Sequence, residues 1–357
     1  MSGVLDNLFE TRSMLPALMQ MRAPTAFLRN LFFKQEKTFD TEAVDIDIYK
    51  EAQRRAAHVR LYQEGTLMER QDYSTYTYKP FPLKPTMITT AREAFRRGPG
   101  EALYNSVSPM ARAQATLARD LLAMVDAIGR TEELMCSQAL FNDAVKTKDV
   151  RGNDLAADIS FGRAADHNVS SAGVTSGYGG LWDASGSDPL ETLRKLKRKV
   201  AKDSGFVPVV AVFAGDITDM FLSHSVIRDM AKDTRSSQID IQMRFPTYLT
   251  DGAVYVGRFE GLEVFEYMGT IRDDYTDPDN PTVVDLVPAK KILLGNPDAR
   301  SEMLYGAVDD LDSLAPVARF PKSWRENNPS AQFVQVISRP LPAPHQVDSF
   351  IVAQVDA

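Results

Sequence analysis

The sequence has 357 residues, 44% of them hydrophobic and 25% charged, with a formal net charge of −7. That suits a folded chain of two or three packed units, and the acidic balance is not the basic footprint of a dedicated nucleic-acid binder. The single cysteine, Cys136, excludes an internal disulfide and a multi-cysteine metal site, and no apolar run is long enough to cross a bilayer as a helix.

Residues 1–40 read as an N-terminal arm. Met1–Met21 is rich in Met and Leu, but Asp6, Glu10 and Pro16 argue against a secretion signal. Pro16 and Pro24 prevent one continuous helix. Phe27, Leu28, Leu31, Phe32, Phe33 and Phe39 form a dense apolar cluster. It must be buried against a neighbouring subunit or, as a short helix, on the chain's own core.

Residues 41–90 carry strand signals. Val44, Ile46 and Ile48 alternate with Asp45 and Asp47. Tyr73, Thr75, Tyr76, Thr77 and Tyr78 favour strand, and the prolines of Lys79–Pro85 fit an edge or an extended arm. The expectation is a long two-stranded ribbon, marginal in water unless it lies on a neighbour. Asp45-Ile46-Asp47 has the form of a metal-binding DxD, but strand alternation accounts for it. Arg92–Arg97 reads as a short basic helix end stopped by Gly98-Pro99-Gly100.

From Ser108 to about Asn142 the chain reads as one long helix. Ser108 is a candidate N-cap, Pro109 fits the first helical position, and Gly129 is the only glycine after it. Leu117, Leu121, Met124, Ile128, Met135 and Ala139 make one stripe at spacings of three and four, with one gap. Arg112, Arg119, Asp120, Arg130, Glu132 and Glu133 read as a polar back. Such a helix is roughly 50 Å long; it is either a strut with a sheet along one side or a long core helix of an ordinary α+β enzyme, and the helix by itself favours the second.

Ala157–Phe161 is expected to be a short strand, and the Gly- and Ser-rich stretch Ser170–Ser187, with Trp182 inside it, a linker or loop. From Asp188 the pattern becomes α/β. Asp188 caps a helix whose stripe is Leu190, Leu193, Leu196 and Val200. Its basic face, including Arg194, Lys195, Lys197, Arg198, Lys199 and Lys202, reads as a solvated exterior. Val207–Phe213 is expected as a buried strand, Gly215–Met230 as helix, and Val254–Tyr267 as a hairpin turning near Glu260-Gly261. Asp273, Asp274, Asp277 and Asp279 make an acidic turn that lacks the Gly and Glu of an EF-hand. Phe333–Ile337 and Phe350–Val355 are the last strands, around Pro340, Pro342 and Pro344.

Little catalytic chemistry is legible. His58, His167, His224 and His345 are isolated, and no HExxH, GxSxG, P-loop or GxGxxG occurs. No catalytic, cofactor or metal residue is assigned.

Several stretches resemble lambda-type phage major capsid proteins. Leu294-Gly295-Asn296, Ala299-Arg300 and Tyr305-Gly306 resemble one family block. Ala318-Arg319-Phe320-Pro321-Lys322-Ser323-Trp324 resembles its Ala-Arg-aromatic-Pro-Lys-x-Trp run. Phe27-Leu28-Arg29 with Leu31-Phe32-Phe33 is similar to the arm motif. Tyr78-Lys79-Pro80 to Lys84-Pro85 is similar to the extended-loop motif, and Asp348-Ser349-Phe350 to Gln354 to the closing strand. The blocks stand in family order across nearly the whole chain.

The resemblance implies an α+β, HK97-like capsid fold. Residues 1–40 are the arm, 41–90 the extended loop, and 91–187 a peripheral domain with a spine helix at 108–142. Residues 188–330 are an axial α/β domain, within which 254–272 could return toward the peripheral domain, and 331–357 are C-terminal strands. It implies a major capsid protein of a tailed double-stranded DNA phage, forming pentamers and hexamers of an icosahedral shell through a scaffolded procapsid that expands. The implied partners are further copies of itself, a separate scaffolding protein, a portal, a decoration protein and packaged DNA bound without sequence preference. No membrane partner is expected. The implied locations are the virion and, during assembly, the host cytoplasm. Interface candidates are Phe27, Leu28, Leu31, Phe32, Phe33, Tyr78, Lys79, Pro80, Lys84, Arg92, Arg300, Arg319, Lys322 and Trp324. Lys–Asn crosslinks, which some relatives form, are not expected here. Two alternatives stay open: an encapsulin-like compartment, and a soluble α+β hydrolase using His224 or His345.

Overall fold

The computed structural model describes residues 14, 26–49, 55–61, 64–65, 67, 73–90, 109–149, 151–155, 158–233, 247–248, 252–274, 280–310, 316–327 and 330–357. The expected cap Ser108, the basic segment Arg92–Arg97, and Asp277 and Asp279 lie outside them.

Within the described part of the arm, 26–40, stand helix α1 (Phe27–Phe32) and strand β1 (Gln35–Thr38). Strands β2 (Val44–Tyr49) and β3 (Tyr73–Tyr78) pair antiparallel as the ribbon, with Val44 opposite Tyr78 and Tyr49 opposite Tyr73. Alternation sorts its faces. Val44, Ile46 and Ile48 are buried, while Asp45 and Asp47 accept hydrogen bonds from Thr77 and Thr75 at 2.6 and 2.7 Å. Those aspartates therefore act as cross-strand partners. Strand β4 (Thr86–Thr90) leaves the ribbon for another sheet.

Helix α2 (Pro109–Asn142) is the long strut. Its first half buries Leu117, Leu121, Met124, Val125 and Ile128 against Val334 and Val336; its last turns bury Cys136, Ala139, Leu140 and Phe141 in the main core. The two cores meet on the helix between Ile128 and Cys136. The expected polar back does not hold there: Glu132 and Glu133 are buried.

Strands β5 (Ala144–Val145) and β6 (Ile159–Ser160) make a small pair, and β7 (Asn168–Val169) follows a 3₁₀ turn. The expected linker or loop holds over 178–187, but the first part of Ser170–Ser187 is helical. Ser170 caps helix α3 (Ser171–Gly177), accepting a bond from Gly173 N, and Trp182 packs edge-on to Phe213 in the core. Glycine and serine there serve a cap and tight turns, with Gly179 and Gly180 at φ 97° and 91°.

Helix α4 (Pro189–Ser204) matches its local signals. Asp188 accepts from Leu190 N and Glu191 N, Gly205 ends the helix at φ 78°, and the leucine stripe faces inward. The apolar run from Val207 forms strand β8 only over Val210–Phe213, and the expected burial fails at Val207 and Val209, which are exposed. The helical stretch after it divides at His224 into α5 (Gly215–Ser223) and α6 (Ser225–Asp233).

Then come β9 (Thr247–Tyr248), β10 (Ala253–Phe259) and β11 (Leu262–Tyr267), the last two a hairpin through Glu260 and Gly261 at φ 50° and 73°. Strands β12 (Thr270–Asp273) and β13 (Thr282–Asp285) form a separate exposed pair. The chain continues through β14 (Lys291–Gly295), β15 (Ser301–Tyr305), β16 (Phe320–Asn327), β17 (Ser330–Ile337), β18 (Pro340–Pro344) and β19 (Ile351–Gln354).

Three sheets organise these strands. The largest has the order β7-β19-β14-β8-β11-β10-β9; the others are β1-β15-β18 and β16-β17-β4. β19 pairs with β14 on one side and β7 on the other, so this sheet runs across the expected boundaries at 187/188 and 330/331. Pro340, Pro342 and Pro344 lie within β18, an edge strand in the described sheet. Their alternation aims every missing N–H away from β15 and leaves Leu341 and Ala343 to bond it.

Candidate assembly interface

Helix α1 lacks a cap of its own: Ala26 ahead of it offers no side-chain acceptor. The acceptor comes from the middle of α2. Glu133 Oε1 accepts Leu28 N at 2.7 Å, and Oε2 accepts Arg29 N at 3.0 Å. Tyr267 Oη donates to Oε1 at 3.0 Å. Burial pushes the Glu133 carboxyl above the ordinary glutamate range, against the pull of these bonds.

Glu132 points into a second set. Arg319 Nη2 reaches Oε2 at 3.1 Å, Tyr305 Oη donates to Oε1 at 3.2 Å, and Arg29 Nε lies 3.5 Å from Oε2. Tyr305 Oη also accepts from Arg29 Nη2 at 3.1 Å, and Arg29 pairs with Glu36. Burial, reinforced by Glu132, pushes the Tyr305 phenol well up, so it remains a donor. Two adjacent carboxylates thus tie together the arm, the strut, β11, β15 and the segment before β16. An unpaired buried carboxylate would be very costly, so these partners must be present for the strut to fold this way.

The signal for Glu132 was the gap in the α2 stripe. Position 132 stands four after Ile128 and four before Cys136, on the inward face.

Phe27, Leu28, Phe32 and Phe33 are buried within their own chain, and Leu31 packs against that core. Of the two readings of this cluster, the short helix on its own core describes the single chain. Arg319 is likewise engaged internally with Glu132. Tyr78 donates to Ser160 O at 2.7 Å, and Pro80 is buried. Lys322 pairs with Asp310, and Arg300 Nε lies 3.4 Å from Glu302 Oε1. Arg92 lies outside the described residues. Lys79 is exposed and pairs with Glu42 at 3.1 Å, and Lys84 is exposed. Trp324 is part-exposed and stacks on Phe333, with centroids 5.2 Å apart and planes 6° apart. In register beside Phe333 stands exposed Ile88, so one face of β16-β17-β4 carries an apolar row.

His224 cannot serve as a base toward its neighbouring serine. Its Nδ1 accepts Val226 N at 3.3 Å, so the ring proton sits on Nε2, 3.1 Å from Ser187 Oγ. His345 is held between Asp47 O and Glu302.

The family model described as phage major capsid protein E matches residues 10–355. The chain belongs to that family. Among relatives, the major capsid protein of Escherichia phage lambda is 23% identical over 334 residues, 92% of this chain and 93% of its own. The major capsid protein of Enterobacteria phage P21 is 25% identical over 356 residues, 98% and 99% of the two chains. Among solved structures, the capsid protein of an E. coli CFT073 prophage superposes with a TM-score of 0.71 at 16% identity, covering 97% of this chain and 98% of that one. The Ralstonia phage GP4 capsid gives 0.50 at 11%, covering 95% and 92%. These likenesses establish the HK97-like capsid fold. As a member of the capsid protein E family, the chain is a structural subunit that self-assembles into the shell of a phage virion, and it is not an enzyme. The hydrolase alternative falls with that membership, and the encapsulin-like alternative has less support.

Proposed function

We propose that this capsid subunit forms pentamers and hexamers of an icosahedral shell around double-stranded DNA, made first as a procapsid that expands. A separate scaffolding protein, a portal and a decoration protein complete the assembly, which takes place in the host cytoplasm. The family match over residues 10–355 carries the reading. Unburied apolar surface supports it. Between the two ribbon strands, Leu61 and Leu67 are 83% and 94% exposed, and Ile88 and Trp324 add exposed apolar area on the β16-β17-β4 face. Surface of this kind is covered when copies close into rings. In the expansion, the arm, the ribbon and the Gly129 region of α2 are the elements that change packing.

Electron microscopy of the purified assembly, with nuclease treatment, tests the reading. Closed particles holding nuclease-resistant DNA support it; a compact monomer at all concentrations, or DNA-free particles holding a cargo enzyme, overturns it. Boiled in SDS, mature particles are expected to run as a single monomer band, without a crosslinked ladder.

A further inference from the structure

His345 follows β18 and is almost wholly buried, as is Glu302 of β15. Its Nδ1 lies 2.7 Å from the backbone oxygen of Asp47, on ribbon strand β2. Its Nε2 lies 3.3 Å from Glu302 Oε2. A carbonyl oxygen only accepts, and so does an ionised carboxylate. A neutral imidazole has one N–H and one lone pair and cannot satisfy both. An imidazolium donates to each.

The surrounding charges agree with an ionised Glu302. Lys37 Nζ of β1 reaches Oε1 at 2.7 Å, and Arg300 Nε lies 3.4 Å from the same oxygen. Burial by itself would raise the Glu302 carboxyl, but the Lys37 bond and the charges of His345, Lys37 and Arg300 hold it below the usual range. The Asp47 carboxylate is occupied by Thr75 Oγ1 at 2.7 Å and does not compete for the ring.

We propose that His345 is a proton-dependent clamp on the base of the ribbon: doubly protonated, it ties Asp47 of β2 to Glu302 of the body, and loss of one proton forfeits one of those two bonds. The clamp therefore holds while both ring nitrogens carry protons and weakens once one is lost to rising pH. His167 shows the same arrangement in the largest sheet, with Nδ1 3.0 Å from Phe350 O and Nε2 3.2 Å from Asp203 Oδ2. It bears on no ribbon residue and serves as an internal control.

Amide hydrogen exchange of the full-length, unassembled chain between pH 5 and 8, corrected for intrinsic rates, tests the clamp without reference to shell formation. Protection of β2 and β3 peptides is expected to fall about tenfold as pH rises, the scale of one hydrogen bond to a charged group. Peptides of β16 and β17, which contain no histidine, should not follow. In His345→Gln the ribbon's pH dependence should vanish. In Glu302→Gln the amide NH₂ can donate to the neutral ring, so the ribbon should stay protected throughout. In both variants, unchanged exchange near His167 reports an intact fold. Ribbon protection in the native chain that is flat, rises with pH, or merely tracks β16 and β17 overturns the proposal even where a variant does not fold. So does a pH dependence that survives both substitutions.

Discussion

Arg319 Nη2 stands 3.1 Å from Oε2 of Glu132, a carboxylate with no exposed surface, across 187 positions of sequence. The same carboxylate takes Tyr305 and faces Arg29, so the middle of the strut is fixed by groups that arrive from three other parts of the chain.

Removing this carboxylate should cost far more than an average substitution. Glu132→Ala leaves Arg29 and Arg319 facing a buried void, and breaking a buried pair from one side costs about 3–5 kcal/mol. Urea unfolding of the unassembled subunit measures it. A loss under about 1 kcal/mol, the scale of an exposed pair, would show that water already screens this hub.

Glu133 predicts a pH dependence of definite sign. Its folded pKa is raised, so its stabilising contribution is complete below the unfolded value and is lost as pH rises through the folded value. Glu133→Gln removes that titration. The stability of the native chain minus that of the variant should decline from the ordinary glutamate range upward, then level off above the folded pKa. A difference that grows with pH over that window contradicts the assignment.

Pro342 should resist replacement by a better strand former. Pro342→Val adds an N–H on the side of β18 facing away from β15, at a buried position, and also loosens the unfolded chain. The expected loss is about 1–3 kcal/mol by denaturation, the scale of a buried unsatisfied donor. Stabilisation by valine would mean that an acceptor or solvent is waiting there.

Trp324 separates folding from assembly. Its stack on Phe333 lies on a part-exposed sheet face, so Trp324→Ala should cost the isolated subunit about 1 kcal/mol. If that face meets another copy, the yield of closed particles, measured by sedimentation, falls by much more than this loss of stability explains. Equal yields would place Trp324 outside the contacts.

The sequence by itself determined the elements whose signals are local. Pro109 to Asn142 read as one long helix because helix formers and a periodic stripe run unbroken. Asp188 and Gly205 bound α4 because a cap and a left-handed residue act within one turn. Val44–Ile48 and Tyr73–Tyr78 read as a ribbon because alternation and β-branching are properties of adjacent residues. The family blocks were likewise visible as short strings in order.

Tertiary structure alone decided which charges are buried and what the arm rests on. Glu132 and Glu133 look the same in sequence whether they face water or four converging segments. A carboxylate is tolerated inside only when distant partners arrive, here Leu28, Arg29, Tyr267, Tyr305 and Arg319. The Phe27–Phe33 cluster had to be buried, but hydrophobicity has no direction and could not name the surface. Pro340–Pro344 reads as a strand breaker until β15 supplies the side on which the missing N–H groups do no harm. Backbone preference is set within a few residues, whereas compensation of a buried charge or donor is set by whatever the fold brings to it.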